Sequence, residues 1–302
     1  MDIVSWLNTL PGAAAQGMIW GIMAIGVFIT YKILNIADLT VDGSICTGAA
    51  VCALLITNGI DAWIAVLAAT AAGMAAGLLT GLLHTFAGIP AILAGILTQL
   101  ILWSVNLKIM GKANLAIPVR SFKLIIAQVY TWKTLAVLLG FVVVLIAFLY
   151  WFFGTELGVT LRATGNNPNM SRAQGINTNL ATVLGLILSN GLVALSGALL
   201  AQYSGAADIN MGRGAIVIGL AAVIIGEAFF SKLSTGFIVR LLGVVIGGII
   251  YYFVYQTVIF LGLDADLLKM LSAVIVAAFL GIPYIKKNYF AKTGKKGANK
   301  DA

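Results

Sequence analysis

The chain has 302 residues, 61% of them hydrophobic and only 9% charged, with a mean hydropathy of +1.05. A soluble domain carries about 25% charged side chains, so too few polar groups are present to coat a water-facing surface, and the composition is that of a polytopic membrane protein. The 18 Lys+Arg outweigh the 10 Asp+Glu to give +8. Much of that excess (Lys286, Lys287, Lys292, Lys295, Lys296 and Lys300) crowds into a polar tail suited to anionic lipid headgroups, which argues against a nucleic-acid partner.

In chain order, the N-terminus has Asp2 and no basic run, unlike a cleaved signal peptide. Apolar stretches at 14–31, 43–58, 62–82, 90–107, 134–153, 180–200, 214–230, 237–260 and 268–285 are candidate spans. Lipid offers backbone groups no partner outside a helix or a closed barrel, and the alternation a barrel needs is absent. The expected fold is therefore all-α, with about nine transmembrane helices, eight to ten being the range. The stretches at 43–58 and 214–230 are short.

Within the spans, Cys46 and Cys52 read as small packing residues. Gly73, Gly77 and Gly81 share one helix face, and Gly17/Gly21 and Gly243/Gly247 repeat that spacing, which permits close helix approach. His84, the lone histidine, has no ligand partners at metal spacing and reads as an interfacial polar residue. An odd number of spans puts the ends on opposite sides, and the basic tail places the C-terminus in the cytoplasm and the N-terminus outside. Residues 108–133 fit this least well. Lys108, Lys112, Arg120, Lys123 and Lys133 fall on the outer side, and a re-entrant piece or extra span there would change the count. Residues 1–285 are expected to form one transmembrane domain and 286–302 a basic cytoplasmic tail.

A weak repeat is the most informative internal feature. Ile36-Ala37-Asp38-Leu39-Thr40-Val41-Asp42-Gly43 precedes one short span, and Ala206-Ala207-Asp208-Ile209-Asn210-Met211-Gly212 precedes the other. In this topology the two lie on opposite sides, which describes two inverted repeats of four spans each, linked by 134–153. Interrupted helices at matching positions tend to line a transported solute's path, and ionisable groups at the edge of apolar runs are expensive to bury. Asp38, Thr40, Asp42, Asp208 and Asn210 are accordingly candidate pathway residues, with solvated caps or loop residues as the alternative.

Residues 154–177 form the longest polar stretch placed on the inner side, apart from the tail. Asn167 suits an N-cap, Pro168 the first helical position and Gly175 a left-handed C-terminal cap. A helix over 168–174 is therefore expected, with Arg162 and Arg172 giving it basic character and Gly165 and Gly175 setting the turns. A short capped helix on a membrane surface makes sense as a rigid knob on which another protein pushes.

The segment Leu161-Arg162-Ala163-Thr164-Gly165-Asn166-Asn167-Pro168, with Ala173-Gln174-Gly175-Ile176, resembles the coupling loop of the branched-chain amino acid/ribose class of ABC permeases. Ala37 to Ser44, Leu93 to Thr98 and Ser104 to Gly111 look like the branch labelled tryptophan/tyrosine permease. The resemblance implies the permease subunit of an importer in the bacterial cytoplasmic membrane, translocating a small solute such as an amino acid. It implies no cofactor on this chain, ATP being used by separate ABC ATPase subunits. The implied partners are those ATPases, an extracellular solute-binding lipoprotein, membrane lipid and a second permease copy in a homodimer. Residues 162–168, Arg172 and Gly175 would then couple to the ATPase.

The chain has no G-x-x-x-x-G-K-[ST] run and no recognisable catalytic arrangement, so an enzyme reading has no support. A self-sufficient secondary transporter would carry ionisable residues in mid-span. Only Glu227 approaches such a place, and Lys232 is close enough in sequence to pair with it. A purely structural scaffold would not need the mirrored breaks. Trp103, Tyr203 and Tyr251 read as core or interface aromatics.

Overall fold

The computed structural model describes residues 3–119, 121–230 and 236–262, with isolated helical positions at 270, 273, 274, 277, 278 and 281. Apart from those positions, the expected span at 268–285 lies outside the described residues, as does the tail. Helix α1 (Ile3–Phe28) continues as a π turn (Ile29–Ile33) and is followed by α2 (Val41–Thr57), α3 (Ala62–Thr85) and α4 (Ala91–Met110). Strand β1 (Asn114–Ala116) leads to α5 (Thr131–Gly154), α6 (Glu156–Asn166), α7 (Pro168–Ala173) and α8 (Thr178–Ser204). Strand β2 (Ala206–Asp208), α9 (Ala215–Phe230) and α10 (Phe237–Phe260) complete the described elements.

Six of these helices are long and apolar enough to cross a membrane: α1 with its π turn, α3, α4, α5, α8 and α10. Helices α2 and α9 are apolar but shorter. They coincide with the two short stretches of the sequence, and each follows a non-helical segment, 34–40 before α2 and 205–214 before α9. The π turn at the end of α1 and the positive φ of Asn35 (+56°) let the chain leave the helix and run back toward the bundle. Asn tolerates this left-handed conformation better than most residues.

The centre of the molecule is α1 and α8, buried over 78% and 83% of their apolar windows, against 28% for α4 and 22% for α5. The exposed faces of α4 and α5 carry large apolar side chains such as Ile101, Val144 and Trp151, the surface a chain presents to lipid. Packing around the centre is paired. Helix α3 lies on α8 as α10 lies on α1, while α2 and α9 pack beside α8 and α1 in turn.

The glycine faces make these approaches possible. A Cβ at Gly73 or Gly77 would strike α8 at Ala194, Asn190 or Leu186, and one at Gly17 would strike Ile249 of α10. Gly243 and Gly247 instead face Gly226 and Ala222 of α9, so the two stripes that sequence spacing likens to each other serve different neighbours.

The 108–133 region holds no additional helix of spanning length among the described residues. It contributes β1, which pairs antiparallel with β2 in the register Asn114↔Asp208, and a 3-10 turn at Gln128–Tyr130. Its backbone is tied to the bundle, Ile125 N donating to Gln202 Oε1 at 3.0 Å and Thr134 Oγ1 donating to the Ala127 carbonyl at 2.8 Å. His84 Nδ1 lies 2.8 Å from the Ile89 carbonyl and closes the α3–α4 turn.

Glu227 pairs with Lys32 at 2.8 Å, with both side chains more than a third exposed. The expected partner Lys232 lies outside the described residues. The contact joins the ends of α1 and α9 rather than neighbours in sequence, because tertiary packing brings those two ends together.

Candidate functional site

Two groups of polar residues stand out against the apolar bundle, one where the half-length helices begin and one at the α6–α7 turn. In the first, Asp38 is 2% exposed. Its Oδ1 accepts from Thr40 N at 2.9 Å and its Oδ2 from Asn190 Nδ2 at 2.7 Å, near the middle of α8. Asn190 Oδ1 accepts in turn from Ser44 Oγ at 2.6 Å, and its amide nitrogen also donates to the Leu186 carbonyl. Thr40 and Thr80 hydroxyls meet at 2.7 Å. The segment before α2 is thereby fastened to α8 and α3 by a buried polar network in which both carboxylate oxygens are occupied.

Asp208 has the same local geometry, its Oδ1 accepting from Asn210 N at 2.7 Å, two residues on, as Asp38 does from Thr40 N. Its surroundings differ. Asp208 lies at the small sheet, where Oδ2 accepts from Asn114 Nδ2 at 3.3 Å, and Asn210 is exposed. The repeat is thus visible in the turn but not in the burial.

Asp42 has a role that sequence reasoning missed. From the first turn of α2 its carboxylate accepts from Gly214 N and Ile216 N, each at 3.0 Å, and so caps the N-terminus of α9. The first N–H groups of a helix have no partner within it and favour negative charge. One half-length helix therefore supplies the anion that completes the other. Asn190, Ser44 and Thr80 were also missed. The available signal was Ser189-Asn190 and Thr80 inside otherwise apolar spans, where polar side chains mark interhelical bonds.

At the second group, Asn167 Oδ1 accepts from Met170 N at 3.0 Å, Pro168 opens α7, and Gly175 has φ +80°. Asn177 caps α8 in the same way, accepting from Leu180 N at 3.1 Å. Arg172 Nε donates to Thr178 Oγ1 at 2.8 Å and Arg162 Nη2 to the Phe153 carbonyl at 2.7 Å, so each arginine spends one donor inside the chain.

Gly165 does not set a turn, contrary to the sequence reading. It lies within α6, where a Cβ would collide with the Ile33 carbonyl, and so allows α6 to rest on the backbone at the end of α1. Ala163 is half-buried and Thr164 buried, whereas Asn166, Asn167 and Pro168 are exposed. Met170 is 62% exposed at the tip of α7, an apolar side chain the sequence reading passed over because it sits in a polar run. Beside this turn an open basin of about 720 Å³ is lined by Lys32, Arg162, Asn166, Glu227 and Arg240 among others.

Paired packing of membrane-length helices, two half-length helices meeting head to head and a doubly capped helix at one end define a polytopic all-α membrane protein. Over residues 10–282 the chain matches the branched-chain amino acid transport system / permease component family, and it belongs to that family, as a permease component of an ABC-type transport system in the cytoplasmic membrane. It is 43% identical over 274 residues to the tyrosine transport system permease protein of Clostridioides difficile, covering 91% of each chain. It is 34% identical over 284 residues to an uncharacterized protein of Rickettsia prowazekii, covering 93% of this chain and 99% of that one. The ribose import permease protein of Escherichia coli is more distant, at 26% over 277 residues, covering 89% of this chain and 84% of that one. The Clostridioides difficile and Escherichia coli relatives are transport permeases rather than enzymes. No solved structure matches the chain.

Proposed function

We propose that this chain is the translocating subunit of an importer for an aromatic amino acid, working as a homodimer with two ATPase subunits and an external solute-binding lipoprotein. The similarity to a tyrosine transport system permease supports the substrate class. Residues 1–285 act as one membrane domain with the N-terminus outside, and 286–302 as a cytoplasmic tail near anionic lipid. Arg162 to Pro168, Arg172 and Gly175 form the ATPase-facing element. Asp38, Thr40, Asp42, Asp208 and Asn210 border the pathway.

The observation that carries this reading is the seating of α7. It is capped at both ends and exposed at Met170, and it follows α6, which lies against the Ile33 backbone through Gly165. A push on α7 passes through α6 to the end of α1, and from there along 34–40 to the start of α2. Closure of the ATPases then biases the half-length helices between two arrangements.

The test is co-purification of the ATPase and hydrolysis stimulated by the binding protein. Met170→Glu places a charge on an exposed tip without touching the bundle, and Arg172→Glu reverses a charge beside it. Each is expected to weaken ATPase association about tenfold or more, as loss of a central interface residue does. Wild-type association in both would make α6–α7 a connector.

A further inference from the structure

We propose that a cavity of about 210 Å³ between the starts of α2 and α9 and the second half of α4 is a recognition subsite for the zwitterion of an aromatic amino acid. This rests on the reading of the chain as an amino-acid permease and locates where the solute is held. Its walls include Asp42, Trp103, Asn106 and Arg213. Pockets for drug-sized molecules run to about 300–1,000 Å³, so this one suits a single small solute.

The wall includes a buried acceptor that the protein leaves unused. Asn106 is fully buried, its amide nitrogen reaches the Gly43 carbonyl at 3.5 Å, and its Oδ1 has no hydrogen-bond partner. A buried acceptor left unpaired is costly, and a ligand N–H would satisfy it.

Arg213 is exposed beside the starts of both half-length helices, and the one ion pair among the described residues belongs to Lys32 and Glu227, not to it. An arginine in a membrane bundle faces a water-filled path or an anion. A carboxylate fits its fork in a two-bond arrangement.

Trp103 is 45% exposed and places an indole on the same wall. Asp42 already accepts from Gly214 N and Ile216 N, and it adds negative charge near the place where Asn106 Oδ1 would meet an ammonium group. The solute's carboxylate thus goes to Arg213, its ammonium to Asn106 and Asp42, and its ring to Trp103. Solute held at this point touches the starts of both α2 and α9, the elements that must move for passage.

The experiment measures labelled L-tyrosine uptake at saturation, together with ATP hydrolysis, in membranes carrying the full chain with its ATPase and binding protein. The binding protein governs capture from outside, so the subsite is read as tyrosine moved per ATP hydrolysed. Arg213→Gln is expected to lower that ratio about tenfold, the size of a lost charge-assisted bond, and Arg213→Lys to restore part of it. Trp103→Leu, on an exposed position that leaves the fold intact, is expected to lower it as well. A wild-type ratio in both Arg213→Gln and Trp103→Leu, with tyrosine still transported, would overturn the subsite alone. Transport of ribose or a nucleoside and no aromatic amino acid by the wild-type complex would overturn the proposed substrate and the subsite together.

Discussion

Asp38 lies where a carboxylate is expensive, among apolar helices, and among the described residues it is held by hydrogen bonds and not by an ion pair. Charge-assisted bonds of this kind are stronger than neutral ones, and removing one partner strands the other. Asn190→Leu keeps the volume but leaves Asp38 Oδ2 and Ser44 Oγ without partners. The expected loss is about 3–5 kcal/mol, as for other buried charges robbed of their partner, read as a lower melting temperature of the purified chain in detergent. Asp38→Asn retains an oxygen for Thr40 N and is expected to cost less, about 1–3 kcal/mol. Equal stability of Asn190→Leu and the wild type would mean that the network is relaxed or hydrated. The Lys32–Glu227 pair is more than a third exposed on both sides and contributes about 0–1 kcal/mol, so its place between α1 and α9 matters for geometry rather than stability.

Helices α2 and α9 are too short to act alone, and their junction is the most informative contact between elements. Asp42 closes the N-terminus of α9 from a different helix, so the first turn of α9 depends on where α2 stands. Asp42→Ala is expected to destabilise that turn by about 0.5–2 kcal/mol, the ordinary worth of an N-cap. Amide exchange at Gly214 and Ile216 should quicken while exchange along α8 stays as it was. Unchanged exchange at those two amides would show that the turn holds without its anion.

Helix α6 depends in the same way on an absent side chain. Gly165→Ala places a Cβ against the Ile33 carbonyl and is expected to cost about 1–3 kcal/mol through overpacking. Gly175→Ala instead strains a left-handed backbone position with open space around it, at about 1–2 kcal/mol. Thermal melts should show both losses, but only Gly165→Ala should alter the contact between α6 and α1, read by crosslinking across that face.

For the molecule as a whole, the two ends differ in a way that can be labelled. The native cysteines are both buried, so the wild type should take up little membrane-impermeant maleimide. A cysteine at exposed Asn169, within α7, should react in inverted vesicles and not in intact cells, while one at exposed Asn58, after α2, should do the reverse. The opposite pattern would invert the proposed orientation and remove the ATPase from α7's side.

Much of this architecture could be read from residue order, because its causes are local. Runs of apolar side chains force helices in lipid, Asn167, Pro168 and Gly175 specify a capped helix within a few residues, and the Asp-x-Thr and Asp-x-Asn turns close on their own backbone. The sequence also separated the two half-length helices from the longer ones by length alone. What it could not determine was partnership across distance. That Asp42 caps α9, that Asp38 meets Asn190, that Glu227 pairs with Lys32 and that Gly165 lies against Ile33 all depend on helices far apart in the chain arriving side by side. An acceptor's local spacing does not say which donor will reach it. In a bundle where nearly every face is apolar, that choice is made by packing, and only the tertiary structure decided it.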